Sequence, residues 1–240
     1  MMTFDAMLPR YMDALMSGNR SEAREIARKA ITTGAKAEDI YRHLLVPAMV
    51  QIQELHREDR ISGLIEHMAS RINRFITDQV QAQLVPTARN GKTAIVICAE
   101  AEAEELGGQV CADMLEANGW SSLFLGGGVA EDDLIELIGQ LRPELLVVYG
   151  SSPSGIPRLR EMVERIRDIG ASPMMNVMVT GGIFDRVDGL WQEVHADLYA
   201  PSPVSVAKTA MQAPQLMHIP RDPLAPKRRR RLVAGPIAVN

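Results

Sequence analysis

The chain has 240 residues, of which 46% are hydrophobic and 23% are charged, and its formal net charge is −4. This composition is typical of one large or two small globular domains, and the charge excludes a general attraction to nucleic acid or anionic membranes. Two cysteines exclude a disulfide framework, and no apolar run reaches the roughly 18 residues of a transmembrane helix. The first ten residues lack the apolar core of a signal peptide, so we expect a cytoplasmic protein.

The first 88 residues show the apolar periodicity of amphipathic helices and no strand pattern. A first helix is predicted over Phe4–Met16, and a second begins at the capping residue Ser21. A third helix covers about 36–55, and a fourth begins near Ser62 and continues to about residue 80. Short turns between helices of this length predict a four-helix bundle domain over residues 1–88.

A different pattern begins after a linker at 85–91. Short apolar runs alternate with helical stretches, which indicates βαβ units and a doubly wound, five-stranded parallel sheet of the Rossmann or flavodoxin-like class. We therefore predict an α/β domain over residues 91–212. The predicted strands are Thr93–Cys98, 121–125, Leu145–Tyr149, 175–180 and 196–199, and the predicted helices are 104–118, Glu131–Leu141, Ile156–Ile169 and 184–191.

The last segment, residues 213–240, contains several prolines and a basic run at 227–231. It has no apolar periodicity, and we therefore predict a flexible tail. The basic run is a candidate contact for DNA or for a partner protein, and a solvated tail is the alternative.

Loops that follow the strands hold the first group of candidate binding residues, because ligands of doubly wound sheets lie beyond the carboxyl ends of the strands. Gly107, Gly126 and Gly127 allow close approach of the backbone to a ligand, or else form ordinary strand-to-helix turns. The hydroxyls of Ser151 and Ser152 are candidates to bond a ligand, or else to cap the next helix. No GxGxxG or Walker loop is present, which argues against nucleotide binding.

A second group of candidates comes from the bundle. His56, Glu66 and His67 flank the turn between the third and fourth predicted helices and can face one space. His56 is a candidate axial ligand to cobalt or to haem iron, and the alternative is an interhelical histidine bonded to a carboxylate. For Glu66 and His67 the alternative is a carboxylate–imidazole pair at the domain interface. No Ser-His-Asp, Cys-His or zinc-type spacing is present, so we do not expect an enzyme.

These residues carry a resemblance to a known family. A helical half followed by this sheet resembles the cobalamin-binding module of methionine synthases, corrinoid carrier proteins and light-sensing B12 regulators, over about residues 5–210. In the light-sensing repressors a Trp-x9-Glu-His motif lies over the upper face of the corrin. The run His56-x9-Glu66-His67 is similar to it, with His56 at the Trp position.

The loop after the first strand resembles the Asp-x-His-x-x-Gly motif of the same family. It runs from Glu102 to Gly107, with the glycine kept and Glu104 at the histidine position. In the family this histidine replaces the nucleotide base beneath cobalt. The resemblance therefore implies that histidine ligation is absent at this loop, since a carboxylate prefers harder ions than imidazole does. The alternative is that Glu102, Glu104 and Glu105 form a solvated acidic start to the next helix.

A third match concerns the tail of the cofactor. The family's Ser-x-Leu segment aligns with Tyr149-Gly150-Ser151, and its Gly-Gly pair aligns with Gly181-Gly182. In the family these small residues clear a tunnel for the dimethylbenzimidazole tail of cobalamin. The resemblance implies that Tyr149 occupies the first tunnel position here.

Within the family the chain most resembles the free-standing AerR/PpaA-type antirepressors of purple photosynthetic bacteria, which act on a separate transcription factor in response to a tetrapyrrole. The resemblance implies a sensor of light, redox state or ligand level that binds cobalamin, with haem and a bilin as alternatives. It also implies a repressor-type transcription factor as partner, no membrane contact, and compatibility with an oligomer. Two other functions stay open: a corrinoid carrier of a methyltransferase system, and a cofactor-free interaction scaffold.

Overall fold

The computed structural model describes residues 3–100 and 104–213. Its first part is helical, with α1 (Phe4–Met16), α2 (Arg20–Thr32), α3 (Ala37–Ile40), α4 (Val46–Arg57) and α5 (Gly63–Gln81). Helix α5 begins next to Ser62, close to its predicted start, and the Ser62 hydroxyl caps it by accepting from the backbone N–H of Ile65. The predicted cap of α2 at Ser21 is wrong, because the side chain of Asn19 accepts the bond from the Glu22 backbone N–H at 3.2 Å.

The long third helix of the sequence prediction is interrupted. Between α3 and α4 the segment Tyr41–Leu45 forms a π-helical turn. Pro47 lies in the first turn of α4 and has no backbone N–H, so the carbonyl four residues earlier loses its α-helical partner. The loss of this hydrogen bond explains why the backbone forms a wider, π-helical turn just before the proline.

The second part is a parallel sheet in the order β2-β1-β3-β4-β5, which is the doubly wound arrangement that the sequence predicts. Four of its strands, β1 to β4, begin and end within a residue of their predicted bounds. The strands are β1 (Thr93–Cys98), β2 (Ser121–Gly126), β3 (Leu145–Tyr149), β4 (Asn176–Thr180) and β5 (Leu198–Ala200).

Helices cover both faces of this sheet. Those in the second part are α6 (Glu105–Ala117), α7 (Glu131–Leu141), α8 (Ile156–Ile169), α9 (Gly182–Arg186), α10 (Leu190–Glu193) and α11 (Val206–Gln212). The buried faces of α6 and α11 share one hydrophobic core with the bundle, and α7 and α8 form a second core on the opposite face. No helix of the described residues is both long enough and apolar enough to span a membrane.

The end of the α/β part differs most from the sequence prediction. The single helix predicted over 184–191 is two short helices, because Gly189 adopts a left-handed conformation with φ of 78° between them. Strand β5 is shorter than predicted, and helix α11 was not predicted at all. Apart from residue 213, the predicted basic tail lies outside the described residues.

Polar contacts join the bundle to α6. The Tyr41 hydroxyl donates to the Asp113 carboxylate at 2.8 Å, and the Gln109 side-chain amide donates to Asp78 at 2.6 Å. Arg74 of α5 also forms an ion pair with Glu105 at the start of α6. The two parts therefore share a direct interface along α5 and α6, while the domain boundary near residues 88–91 stays a prediction.

Asp113 makes this interface sensitive to pH. The side chain is 7% exposed, and burial raises the pKa of its carboxyl from 3.8 to about 6, against the lowering effect of the Tyr41 hydrogen bond. The unfolded chain therefore releases this proton at a lower pH than the folded chain. It follows that the contribution of Asp113 to the free energy of unfolding falls as pH rises from about 4 to about 6 and is constant above that.

We predict that Asp113→Asn removes this loss, since the amide stays neutral and its oxygen still accepts from Tyr41. Relative to the unsubstituted protein, the variant gains about 1–3 kcal/mol in free energy of unfolding between pH 4 and pH 7.5. Urea unfolding at the two pH values measures this gain. Glu161→Gln, at an exposed position of α8, is the control and shows no such difference. The prediction is contradicted if the free energy of unfolding of Asp113→Asn changes between the two pH values by the same amount as that of the unsubstituted protein.

Candidate functional site

Two loops meet at the carboxyl edge of the sheet through one buried carboxylate. Glu104, which precedes α6, is 0% exposed. Its Oε1 accepts hydrogen bonds from the backbone N–H of Ser151 at 2.5 Å and of Ser152 at 3.2 Å, and from the Ser151 hydroxyl at 3.1 Å. Its Oε2 accepts from the backbone N–H of Glu100 at 2.8 Å. Glu104 therefore ties the loop after β1 to the loop after β3.

The Glu104 carboxylate has the burial and hydrogen bonds of a group that stabilises the fold. Burial raises the pKa of its carboxyl, and the hydrogen bonds from Ser151, Glu100 and Ser152 oppose that rise. Both oxygens are already bonded, which leaves little capacity for an external ligand. The alternative interpretation, a solvated acidic helix start, does not describe Glu104, whereas Glu102 lies outside the described residues.

A row of three buried side chains lies beside Glu104. Cys98, Tyr149 and Thr180 are register partners at the ends of β1, β3 and β4, so their side chains share one face of the sheet. A Cβ placed at Gly107 would lie 2.1 Å from the Tyr149 ring, and one at Gly108 would lie 2.7 Å from Cys98 Sγ. The two glycines of α6 thus let the helix pack directly onto the row, and Tyr149 is only 1% exposed.

Gly181 follows β4 at the same carboxyl edge of the sheet. It adopts φ of 108°, and a Cβ there would lie 2.3 Å from the carbonyl oxygen of Gly150. Gly181 therefore serves close contact between two backbone segments, and Gly182, half-buried, begins α9. Thr180 Oγ1 is buried without a hydrogen-bond partner in the described part of the chain.

Gly126 ends β2, and Gly127 and Gly128 follow it. Gly126 has φ of 74° and faces the Glu105 carboxylate, and Gly127 next to it is half-buried. A cavity of about 30 Å³ lies nearby, with Gly128, Arg158 and Ala99 among its lining residues. That volume suits a water molecule rather than a macrocycle.

On the bundle side, the three sequence-predicted residues do not contact one another through any hydrogen bond within the described residues. Glu66 accepts from the Ser70 hydroxyl at 3.0 Å, and Arg71 donates to His67 Nε2 at 3.2 Å. His56 is half-buried in the last turn of α4, beside the first residue of α5. Among the histidines of residues 3–100 and 104–213, it is the one without a hydrogen bond or ring contact.

Arg186 bonds the loop after β3 and lies near this end of the bundle, although the sequence interpretation did not single it out. Its guanidinium donates to the carbonyl oxygen of Ser151 at 2.6 Å. Burial lowers the pKa of Arg186, Arg57 adds to that effect and Glu54 opposes it, so the last turn of α4 lies close to α9. The sequence signal that could have identified Arg186 is its position as a basic residue shortly after the Gly181-Gly182 pair.

The bonds of Glu100 and Ser154 were also missed. Glu100 supplies one N–H to Glu104, and its own carboxylate accepts from the Ser154 hydroxyl. The sequence signal for Glu100 was its place two residues after the end of a buried strand.

Comparisons with known proteins agree with the fold. Residues 7–81 match a family model described as B12 binding domain. The chain is similar to monomethylamine corrinoid protein 2 of Methanosarcina acetivorans, with 22% identity over 88% of this chain and 98% of that protein. It is also similar to trimethylamine corrinoid protein 2 of the same organism, with 19% identity over 82% of this chain and 92% of that one. The solved monomethylamine corrinoid protein of Methanosarcina barkeri superimposes with a TM-score of 0.77 at 20% identity, covering 88% and 99% of the two chains.

These relatives correct part of the sequence interpretation. The expected partner, a repressor-type transcription factor, is wrong, because the relatives that match most of the chain are corrinoid proteins. They lend no support to the AerR/PpaA subtype, to haem or to a bilin. The B12-binding resemblance and the bundle-plus-sheet fold are confirmed.

The site fits a corrinoid only in part. The loop after β1 contains no histidine, and both carboxylate oxygens of Glu104 accept hydrogen bonds from within the chain. The space between α6 and the sheet holds the Tyr149 ring. These residues do not fit a corrinoid held through a lower histidine with its nucleotide buried beside the sheet.

We predict that Gly107→Ala destabilises the fold, because the new methyl group overlaps a fully buried ring. The expected loss in free energy of unfolding is about 1–3 kcal/mol. Gly139→Ala is the matched control, since Gly139 is exposed on α7 with no atom within 4 Å of a new Cβ. It should gain roughly 0.5–1 kcal/mol, as is usual for glycine to alanine inside a helix. Urea unfolding measures both variants, and equal stability of the two would show that α6 does not pack on Tyr149.

Proposed function

We propose that this chain is a corrinoid-binding carrier protein that serves a separate methyltransferase, and that it holds the corrinoid without a protein ligand from the loop after β1. The observation that carries the proposal is a likeness to corrinoid proteins that extends over 82–88% of the chain and includes both the bundle and the sheet. The lack of a recognisable catalytic triad or zinc motif is consistent with a carrier rather than an independent enzyme.

The proposed binding region is the carboxyl edge of the sheet together with the end of the bundle. Arg186 and the last turn of α4 lie close together there, and Arg186 also bonds the loop after β3. Ligands of doubly wound sheets bind beyond this edge, near the point where the strand order reverses. In this chain that point is between β1 and β3, where Glu104 joins the two loops.

His56 is the residue that we propose as the protein ligand to cobalt. It lies in the last turn of α4, and within the described residues its imidazole has no hydrogen-bond partner. His67 on the neighbouring helix is bonded to Arg71, which makes it less available. Neutral imidazole is a good ligand for transition metals, and this supports His56 over the nearby carboxylates.

A cofactor-free interaction scaffold is the second candidate function. The specific observation in its favour is the buried Tyr149 ring, which fills the space under α6. The two candidates differ in whether the purified protein binds a corrinoid at all, so one titration separates them.

We predict that the purified protein retains hydroxocobalamin through gel filtration and shifts its visible absorption bands. His56→Ala should alter the bands of the bound corrinoid, because a cobalt ligand is lost. His67→Ala is the matched control on the same end of the bundle and should leave the bands unchanged. Absorption spectroscopy of the three proteins after reconstitution measures both effects.

The outcomes separate the claims. Retention with identical spectra for all three proteins would remove the role of His56 and keep corrinoid binding. No retention by the unsubstituted protein would overturn the carrier function and favour the scaffold. Methyl transfer from a partner methyltransferase to the reconstituted protein is the direct functional assay.

A further inference from the structure

The Tyr149 side chain occupies a slot with defined walls. One wall is the first turn of α6, where Gly107 faces the ring, and the other is the sheet, where Cys98 and Thr180 flank Tyr149 in register. All three strand residues are buried, and burial raises the pKa of the Tyr149 hydroxyl. A planar aromatic ring therefore already lies between α6 and the ends of three strands.

The slot has no spare room beside the ring. At its β4 side the backbone of Gly181 is in close contact with Gly150, and at its β1 side Gly108 is in close contact with Cys98. Protein interiors packed in this way do not admit a second ring without moving the first. Glu104 further holds the loops after β1 and β3 together at the mouth of the slot.

We propose that Tyr149 determines which corrinoids this protein accepts, namely those whose nucleotide base stays outside the α/β half or is absent. This inference rests on the proposed corrinoid binding. Tyr149 fills the volume that an inserted base would need, so insertion requires the ring to leave the core. A corrinoid that keeps its base on its own cobalt, or a cobinamide without a nucleotide, needs no such displacement.

The first test compares two corrinoids on the unsubstituted protein and on Tyr149 variants. We expect cyanocobalamin and dicyanocobinamide to bind the unsubstituted protein with Kd values within about threefold of each other, because the nucleotide gains no buried contact. Tyr149→Phe keeps the ring and should behave in the same way. Tyr149→Ala should open the slot and favour cyanocobalamin by about tenfold or more. Tyr149→Val is the second variant if the alanine variant does not fold.

The inference is overturned if the unsubstituted protein binds cyanocobalamin at least tenfold more tightly than dicyanocobinamide and the Tyr149→Ala or Tyr149→Val variant does not increase that preference. Equal binding of the two corrinoids by every variant overturns it as well, because the slot then plays no part in selection.

A second test needs no corrinoid. An apolar cavity left by a large side chain can bind a small aromatic molecule of matching shape. We expect 5,6-dimethylbenzimidazole to raise the Tm of Tyr149→Ala, or of Tyr149→Val, by about 2 °C or more, and to leave the unsubstituted protein and Tyr149→Phe unchanged. No response from either small variant would show that Tyr149 does not fill such a slot. If no variant binds a corrinoid, the proposed function fails, and this Tm comparison still decides whether Tyr149 occupies the slot.

Discussion

The close approach of α6 to the ends of β1 and β3 is the constraint on which the rest of the site depends. It requires glycine at two consecutive positions, because Gly107 faces the Tyr149 ring and Gly108 faces the Cys98 thiol. The helix could not lie there with any larger residue unless the sheet residues moved. That approach buries Tyr149, and the segment that leads into α6 places Glu104 beneath the backbone N–H groups of Ser151 and Ser152.

Glu104 and Tyr149 fill part of the carboxyl edge of the sheet with contacts inside the chain. The carboxylate joins the loops after β1 and β3, and the aromatic ring fills the space under α6. On the bundle side of the proposed binding region, His56 has no hydrogen-bond partner in the described part of the chain, and Arg186 donates to the carbonyl oxygen of Ser151 in the loop after β3. Glu66 and His67 make hydrogen bonds inside the bundle and His56 makes none within the described residues, so the proposed ligand to cobalt lies on the bundle side.

Much of this arrangement was predictable from the sequence. The apolar runs gave β1 and β3 their correct bounds, and the motif comparison identified Glu104 and Tyr149 as departures from the family pattern. The bonds of Glu104 were not predictable, because their donors include residues 47 and 48 positions away. The relative orientation of the His56 and Glu66 side chains was also not predictable, because the number of residues across a turn does not fix which faces of the two helices point toward each other. Strand β5 pairs over only three residues, too few for a clear pattern.

The most direct measurement is a crystal structure of the protein grown with cyanocobalamin, at a resolution that places the nucleotide. We predict that Tyr149 still lies under Gly107, that Glu104 still accepts from Ser151, and that the dimethylbenzimidazole base lies outside the α/β half. A base inserted between α6 and the sheet, with the Tyr149 ring displaced, would contradict this.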